Sequence, residues 1–328
     1  LFCDIDLDAR GRQIGALRLV HSDDRHAFGH VPVPIAVLAG TSGPTVLLAA
    51  GNHGDEYEGQ AILLALIHEL DPDALAGRVI VLPGLNRPAV AASTRVSPLD
   101  GMNLNRAFLN GAPPGPTRTI AAFVETVLPS CALVADLHSG GSTAIYADAA
   151  LATRTSDTDL HAANLAAARA TRLPVIQVLG ATSSTTSLNS ACAAAGVPMV
   201  AMELGGGGRI DRRSLTRGRE AVLGLLAHAG LMCGSVPPPA AQRMVALKHP
   251  QSAVVVPSDG IVEPIVTAGD SVVAGEAVAV LHHWREPRRP PLRLCANLSG
   301  LVLAVAARGR LEPGDHAALI AEDVEEDA

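Results

Sequence analysis

TVLLAAGNHGDEYEG, residues 45–59, decides how the rest of the chain is read. A short apolar run, Thr45 to Ala50, breaks at a glycine-rich corner, Gly51-Asn52-His53-Gly54-Asp55-Glu56, and a helical pattern follows through about Leu70. An apolar run without alternation is the mark of a strand buried on both faces, as in parallel sheets. Two more runs end the same way. CALVADL (131–137) leads into His138-Ser139-Gly140-Gly141, and VPMVAM (197–202) leads into Glu203-Leu204-Gly205-Gly206-Gly207-Gly208. Glycines after each polar group let the backbone turn sharply and a ligand come close.

Working outward, residues 14–37 read as two short strands around a polar turn, HSDDRHAFGH, which carries His21, His26 and His30. A strand RVIVLPGL (78–85) is followed by a long Pro/Asn/Arg loop and a helical stretch from about Thr117 to Leu128. Helices near 158–170 and 211–229 alternate with the apolar run PVIQVL and with VPMVAMEL. Strands alternating with helices predict an α/β domain, its mixed, largely parallel sheet flanked by helices.

Composition changes at Val236-Pro-Pro-Pro-Ala240. Beyond it come short β-rich runs punctuated by Gly, Pro and Asp: SAVVVPSDG, GIVEPIVTAGD, EAVAVLHH, SGLVLAVAARG and HAALIA. The expected domains are therefore residues 1–235, α/β, and residues 236–328, a small all-β module of about ninety residues, large enough to fold alone. The acidic tail EDVEED reads as a frayed terminus.

Bulk properties exclude several classes. The chain has 328 residues, 48% of them hydrophobic, with only 2% aromatic, so Ala, Val and Leu must build the core. A net charge of -7 and the absence of a long basic run argue against nucleic acid, which needs a basic face. The arginines around Arg285, Arg288 and Arg289 are broken by prolines and read as a solvated loop. No apolar run reaches the ~18–20 residues that span a bilayer, so no membrane role is expected. The first residues, with Asp4, Asp6 and Asp8, lack a basic-then-apolar signal pattern. Five dispersed cysteines without a CxxC pair fit reduced thiols and a cytoplasmic location. A homo-oligomer is left open.

In open α/β sheets, ligands gather outside the carboxyl ends of the strands. The three runs thus bring His53, Glu56, His138 and Glu203 to one sheet edge. His53 and Glu56, spaced i, i+3 where loop becomes helix, can face one ion, and His138 is the natural third ligand. Two His and one Glu form a known catalytic zinc set that keeps a position open for water. The competing readings are a histidine cap at His53, a first-turn acid favoured by the helix dipole at Glu56, and a strand-end cap or salt-bridge partner at Glu203. His282 and His283 are adjacent in a strand and face opposite sides, which argues against a second metal site. Asp136, two residues before His138, either orients that histidine or serves as a buried structural acid.

GNHGDEYEG, TRVSPLDGMNLNRAF and ADLHSGG together resemble the aspartoacylase and succinylglutamate desuccinylase family, relatives of the zinc carboxypeptidases, over essentially the whole chain. Within it, HSDDRHAFG, GNHGDEYEGQ, DLHSGG, ELGGGG and GIVEPIVTAGDSVVAGEAV look most like N-acetyl-L-2,4-diaminobutyrate deacetylases of ectoine degradation. The resemblance implies one zinc ion on His53, Glu56 and His138, with Glu203 as the general base. It implies Arg95 as the group that stabilises the tetrahedral oxyanion, and Asn105 with Arg106 as the grip on a substrate carboxylate. The implied activity is a zinc-dependent amidohydrolase that deacetylates an N-acyl amino acid, a small molecule, best matched by N-acetyl-L-2,4-diaminobutyrate. Another acyl-amino-acid hydrolase, such as a desuccinylase or an aspartoacylase, is the alternative, and a silent metal-binding protein is a third.

This chain also departs from the family pattern. Asn103 stands where aspartoacylases carry an acid, which weakens N-acetylaspartate as substrate, and GSTAIYADAALATR is divergent. A free substrate amine would need an acidic partner, for which Asp55 and Glu58 are candidates. The C-terminal hairpin VEPIVTAGDSVVAGEAV is similar to biotinyl/lipoyl-type barrel-sandwich domains. The only lysine, Lys248, precedes that module's first expected strand, so a wall beside the active site is expected rather than a carrier.

Overall fold

The computed structural model describes residues 1–24, 26–180, 185–232 and 241–325. The 236–240 boundary, Cys233 and residues 326–328 lie outside the described residues, as does the side chain of His26. The centre is a block of four parallel strands, in the order Ala76–Leu82, Thr41–Ala50, Leu133–His138 and Met199–Glu203. Met199–Glu203 next pairs antiparallel with Ala149–Thr153, which runs parallel to Val175–Leu179, and that strand to Arg243–Ala246. The sheet is therefore mixed, two parallel blocks running in opposite senses.

Burial on both faces explains the unbroken apolar runs. Val46, Leu48 and Leu137 pack with the helices Tyr57–Glu69, Thr158–Ala170 and Arg212–His228 on one face. Leu47, Ala49 and Val134 pack with Pro116–Val127 and Leu188–Ala195 on the other. No membrane-length apolar helix occurs among the described residues.

Several elements extend beyond their expected limits. The two short strands expected within 14–37 are Gly11–Asp23 and His26–Ala39, a long antiparallel hairpin. Its polar residues alternate outward, so pairing continues well past the apolar part of the sequence. The loop after residue 85 contains a six-residue helix, Arg87–Ala92, started by Pro88 in its first turn. The acidic tail begins inside a strand: Glu322 and Asp323 pair with Ala246 and Val245, and Asp323 takes the guanidinium of Arg243 at 2.6 Å.

The C-terminal runs form strands as expected. Gly260–Pro264, Ala277–His282, Leu292–Cys295 and Arg310–Leu311 make a separate antiparallel sheet. It shares a core with Gly300–Ala306 and His316–Asp323. These last two strands also prolong the large sheet, next to Arg243–Ala246. Lys248 lies on the connection after Arg243–Ala246, outside the paired strands.

Candidate active site

Register puts the chemistry at one level. Glu203 is the paired neighbour of His138, and Leu137 of Ala50, so the three strands end side by side. Past Ala50 the corner is tight. A side chain at Gly54 would strike the carbonyl of Ala89, so His53 is carried on a loop pressed against the short helix. Glu56 occupies the N-cap position of Tyr57–Glu69, yet its side chain makes no capping bond. The carboxylate turns to the histidines instead, which removes the capping and dipole readings.

His53, Glu56 and His138 come together. Nδ1 of His53 lies 2.6 Å from Glu56 Oε1, and Nδ1 of His138 lies 2.8 Å from Oε2. One ligand atom from each falls within 4.8 Å of the others, a grouping that no other set of three matches among the described residues. All three residues are buried. The outer nitrogens are engaged as well: His138 Nε2 faces Asp136 Oδ2 at 2.8 Å, and His53 Nε2 faces Asn103 Oδ1 at 3.2 Å. An oxygen can only accept there, so each Nε2 is the donor to its outer partner, and Nδ1, which faces Glu56, is the nitrogen whose lone pair a cation would take in place of the proton shared with that carboxylate. Two imidazole nitrogens and one carboxylate, already converging, fit zinc. His282, by contrast, pairs with Glu263 at 2.8 Å, and His283 turns inward.

The electrostatics follow from this crowding. Burial alone would raise the Glu56 carboxyl, but the His138 and His53 imidazoles outweigh it and hold it at about 2. Burial opposes charge on His138 too, yet Asp136 and Glu56 carry its pKa well above the usual value. Glu203 goes the other way. Burial, then the charge of Glu56, pushes it up to about 8, against the opposing pull of His138 and Arg95. Its Oε2 is buried with no hydrogen-bond partner. A carboxylate poised near neutral pH and free of protein partners can take up and return a proton.

These groups line a pocket of about 380 Å³ together with Arg95, Asn105 and Arg106. Arg95 sits over the ligands, its Nη1 3.4 Å from His53 Nδ1 and 3.5 Å from Glu56 Oε1. Asn105 Oδ1 accepts from the N–H of Leu188 at 3.0 Å and so ties the Leu104–Arg106 turn to the start of Leu188–Ala195. Arg106, Ser187 and Asn189 line the pocket from these two elements. Arg106 is exposed and donates to the carbonyl of Asn105; no carboxylate among the described residues pairs with it.

A further part of the lining comes from the segment after His138. A short strand, Ala144–Tyr146, pairs antiparallel with Gly300–Ala306, and the N–H of Tyr146 donates to the carbonyl of Gly205 at 2.9 Å. Gly206, at φ +126°, is needed here, since a Cβ would meet Ala144 O at 2.5 Å and Gly140 N at 2.7 Å. Asp55 and Glu58 do not reach the pocket. Asp55 Oδ2 accepts from Ser142 N at 2.8 Å, and Glu58 Oε1 from Asp211 N at 3.4 Å, so both brace turns beside it. Asn103, Thr143, Tyr146, Ser187 and Asn189 were not selected as site residues from sequence. Asn103 carries a visible signal as the departure in NLNR, and Thr143 and Tyr146 lie in the divergent segment GSTAIYADAALATR.

Comparisons with known proteins bear on this geometry. Residues 42–229 match the model of the Succinylglutamate desuccinylase/Aspartoacylase catalytic domain. The chain is 35% identical to the N-alpha-acetyl-L-2,4-diaminobutyric acid deacetylase of Halomonas elongata, over 98% of this chain and 94% of that protein. The product-bound structure of the ectoine utilization protein EutE (DoeB) from Ruegeria pomeroyi superposes with a TM-score of 0.92 at 33% identity, covering 98% of each chain. A succinylglutamate desuccinylase/aspartoacylase from Rhodobacter sphaeroides gives 0.90 at 34% identity, covering 98% of this chain and 99% of that one.

Proposed function

Because the chain belongs to the succinylglutamate desuccinylase/aspartoacylase family, and so is a hydrolase of acyl-amino-acid amide bonds, we propose that it is a zinc-dependent deacetylase of N-acetyl-L-2,4-diaminobutyrate. The products are 2,4-diaminobutyrate and acetate, within ectoine degradation. The domain roles proposed are catalysis for residues 1–235 and a wall over the site for residues 236–328. One observation carries the reading: Glu203, in register with His138, offers an unpartnered buried carboxylate oxygen to the pocket that holds the His-Glu-His group.

His53, Glu56 and His138 would hold the metal through the two Nδ1 atoms and a carboxylate oxygen. Bound zinc lowers the pKa of water and polarises a carbonyl. Glu203 takes the proton of the attacking water and returns it to the departing amine. Arg95 donates hydrogen bonds to the oxyanion as charge develops. Asn105 and Arg106 grip the substrate carboxylate, the guanidinium fork matching both oxygens. Asp136 and Asn103 keep the two rings turned with Nδ1 inward.

A desuccinylase is the second reading. It would need a further cation for the distal carboxylate, and beyond Arg95 and Arg106 the pocket lining has no lysine or arginine among the described residues. A silent metal-binding protein would have no use for Glu203 beside the ligands. The test is acetate release from N-acetyl-L-2,4-diaminobutyrate by zinc-loaded protein, set against N-succinylglutamate and N-acetylaspartate. Preference for either of the latter two would overturn the substrate assignment.

A further inference from the structure

A second cavity, of about 390 Å³, lies next to the active-site pocket beneath the C-terminal strands. The two share Thr143, Ala144 and Tyr146 as lining. Only Tyr146 of these has a bulky side chain. Across this shared wall the second cavity carries Arg308, which is exposed and has no ion pair among the described residues. We propose that the ring of Tyr146 is the partition between the two cavities and limits the acyl group to about the size of acetyl. This rests on the deacetylase reading and sharpens it.

Three observations support the assignment. First, one pocket is lined by Asn105 and Arg106, by Glu203 and the histidines, and by Tyr146. A substrate whose carboxylate is held by Asn105 and Arg106, with its amide beside Glu203 and the histidines, leaves its acyl group to the remaining lining, where Tyr146 is the bulky residue. Second, the ring has a fixed backbone. Tyr146 is bonded to Gly205 on one side and paired with Ala304 on the other, and it packs on Leu301 and Leu303 in a small apolar cluster. Third, its hydroxyl has no hydrogen-bond partner among the described residues, and the charges of Glu203, Arg95 and Glu56 act on it, so the ring stands beside the reacting groups without being tied to them. A succinyl group would have to pass this ring to bring its distal carboxylate to Arg308.

The test uses the zinc-loaded full chain and the N-acetyl, N-propionyl, N-butyryl and N-succinyl derivatives of 2,4-diaminobutyrate. For the unaltered enzyme, kcat/KM should fall about 10-fold or more with each added methylene, the scale on which a closed apolar wall discriminates. Tyr146→Ala should lower the acetyl-to-succinyl ratio of kcat/KM at least ~10-fold on the same scale. Adding Arg308→Ala to that variant should remove the succinyl gain. Tyr146→Phe, which keeps the ring, should keep the selectivity.

Three results would overturn the partition: butyryl or succinyl substrates cleaved as well as acetyl by the unaltered enzyme, equal losses on both substrates in Tyr146→Ala, or relaxed selectivity in Tyr146→Phe. If Tyr146→Ala does not fold, the acyl series and Tyr146→Phe still decide. Failure of the unaltered enzyme to cleave any of the four would instead bring down the deacetylase reading, and the partition with it.

Discussion

The floor of the site and its wall are held in different ways. The floor is three parallel strand ends in register, each finished by a short polar and glycine segment, and its contacts run between neighbouring strands. The wall, Thr143 to Tyr146, belongs to no local motif. It is held by pairing with Ala304, Val305 and Ala306 and by the turn after Glu203. In the proposed function the floor supplies the chemistry of amide hydrolysis, and the wall selects which amide reaches it. Changes to the floor should therefore cost turnover or metal, whereas changes to the wall should redistribute activity among substrates.

The largest effect is expected at Glu203. Glu203→Gln keeps the shape but removes the proton acceptor, so kcat should fall by ~10²–10⁴, the range for a positioned general base. Zinc content, read by metal analysis of the same sample, should stay at one per chain. Lost metal together with lost turnover would move Glu203 from the reaction to the ligand shell.

A smaller effect is expected one step behind the ligands. Asp136→Ala and Asn103→Ala each remove an acceptor from a ring Nε2. Each should weaken zinc binding by ~10–100-fold, as loss of such a partner does elsewhere. Competition with a chelator reads this out directly, and unchanged affinity would make the two bonds incidental.

The smallest effect is one of pH on the metal-free protein. Glu203 has its pKa raised from 4.5 to about 8, so between those values the folded chain holds a proton that the unfolded chain has lost. Stability from this group is complete below 4.5 and declines as pH rises towards 8. The melting temperature of the metal-free protein should therefore fall over that window, and Glu203→Gln should flatten the slope. An unchanged slope in the variant would show that other groups set it.

The same contrast explains what could be read from sequence. His53, Glu56, His138 and Glu203 were legible because an apolar run breaking into a polar residue and glycine is a local signal, and strand ends in α/β sheets gather at one edge. Asn103 was visible only as a departure from the family pattern. Its bond to His53 spans 50 residues and depends on how the intervening loop folds back. The place of Tyr146 was hidden for a stronger reason, since its partner strand lies in the C-terminal region and no spacing encodes that pairing. The helix Leu188–Ala195 escaped because eight mostly small residues show little periodicity; its N-cap, Ser187, holds Ser190 N–H by its hydroxyl. The polar hairpin tip was underestimated in length because strand pairing there is carried by the backbone rather than by buried side chains.

Zinc K-edge X-ray absorption on the loaded protein, compared with His138→Ala, bears most directly on the metal centre. Two imidazole nitrogens and a carboxylate oxygen per zinc should be seen in the unaltered chain, falling to one imidazole in the variant. A site with fewer than two imidazoles in the unaltered chain, or one that His138→Ala leaves intact, would contradict the convergence of His53, Glu56 and His138 on a single ion.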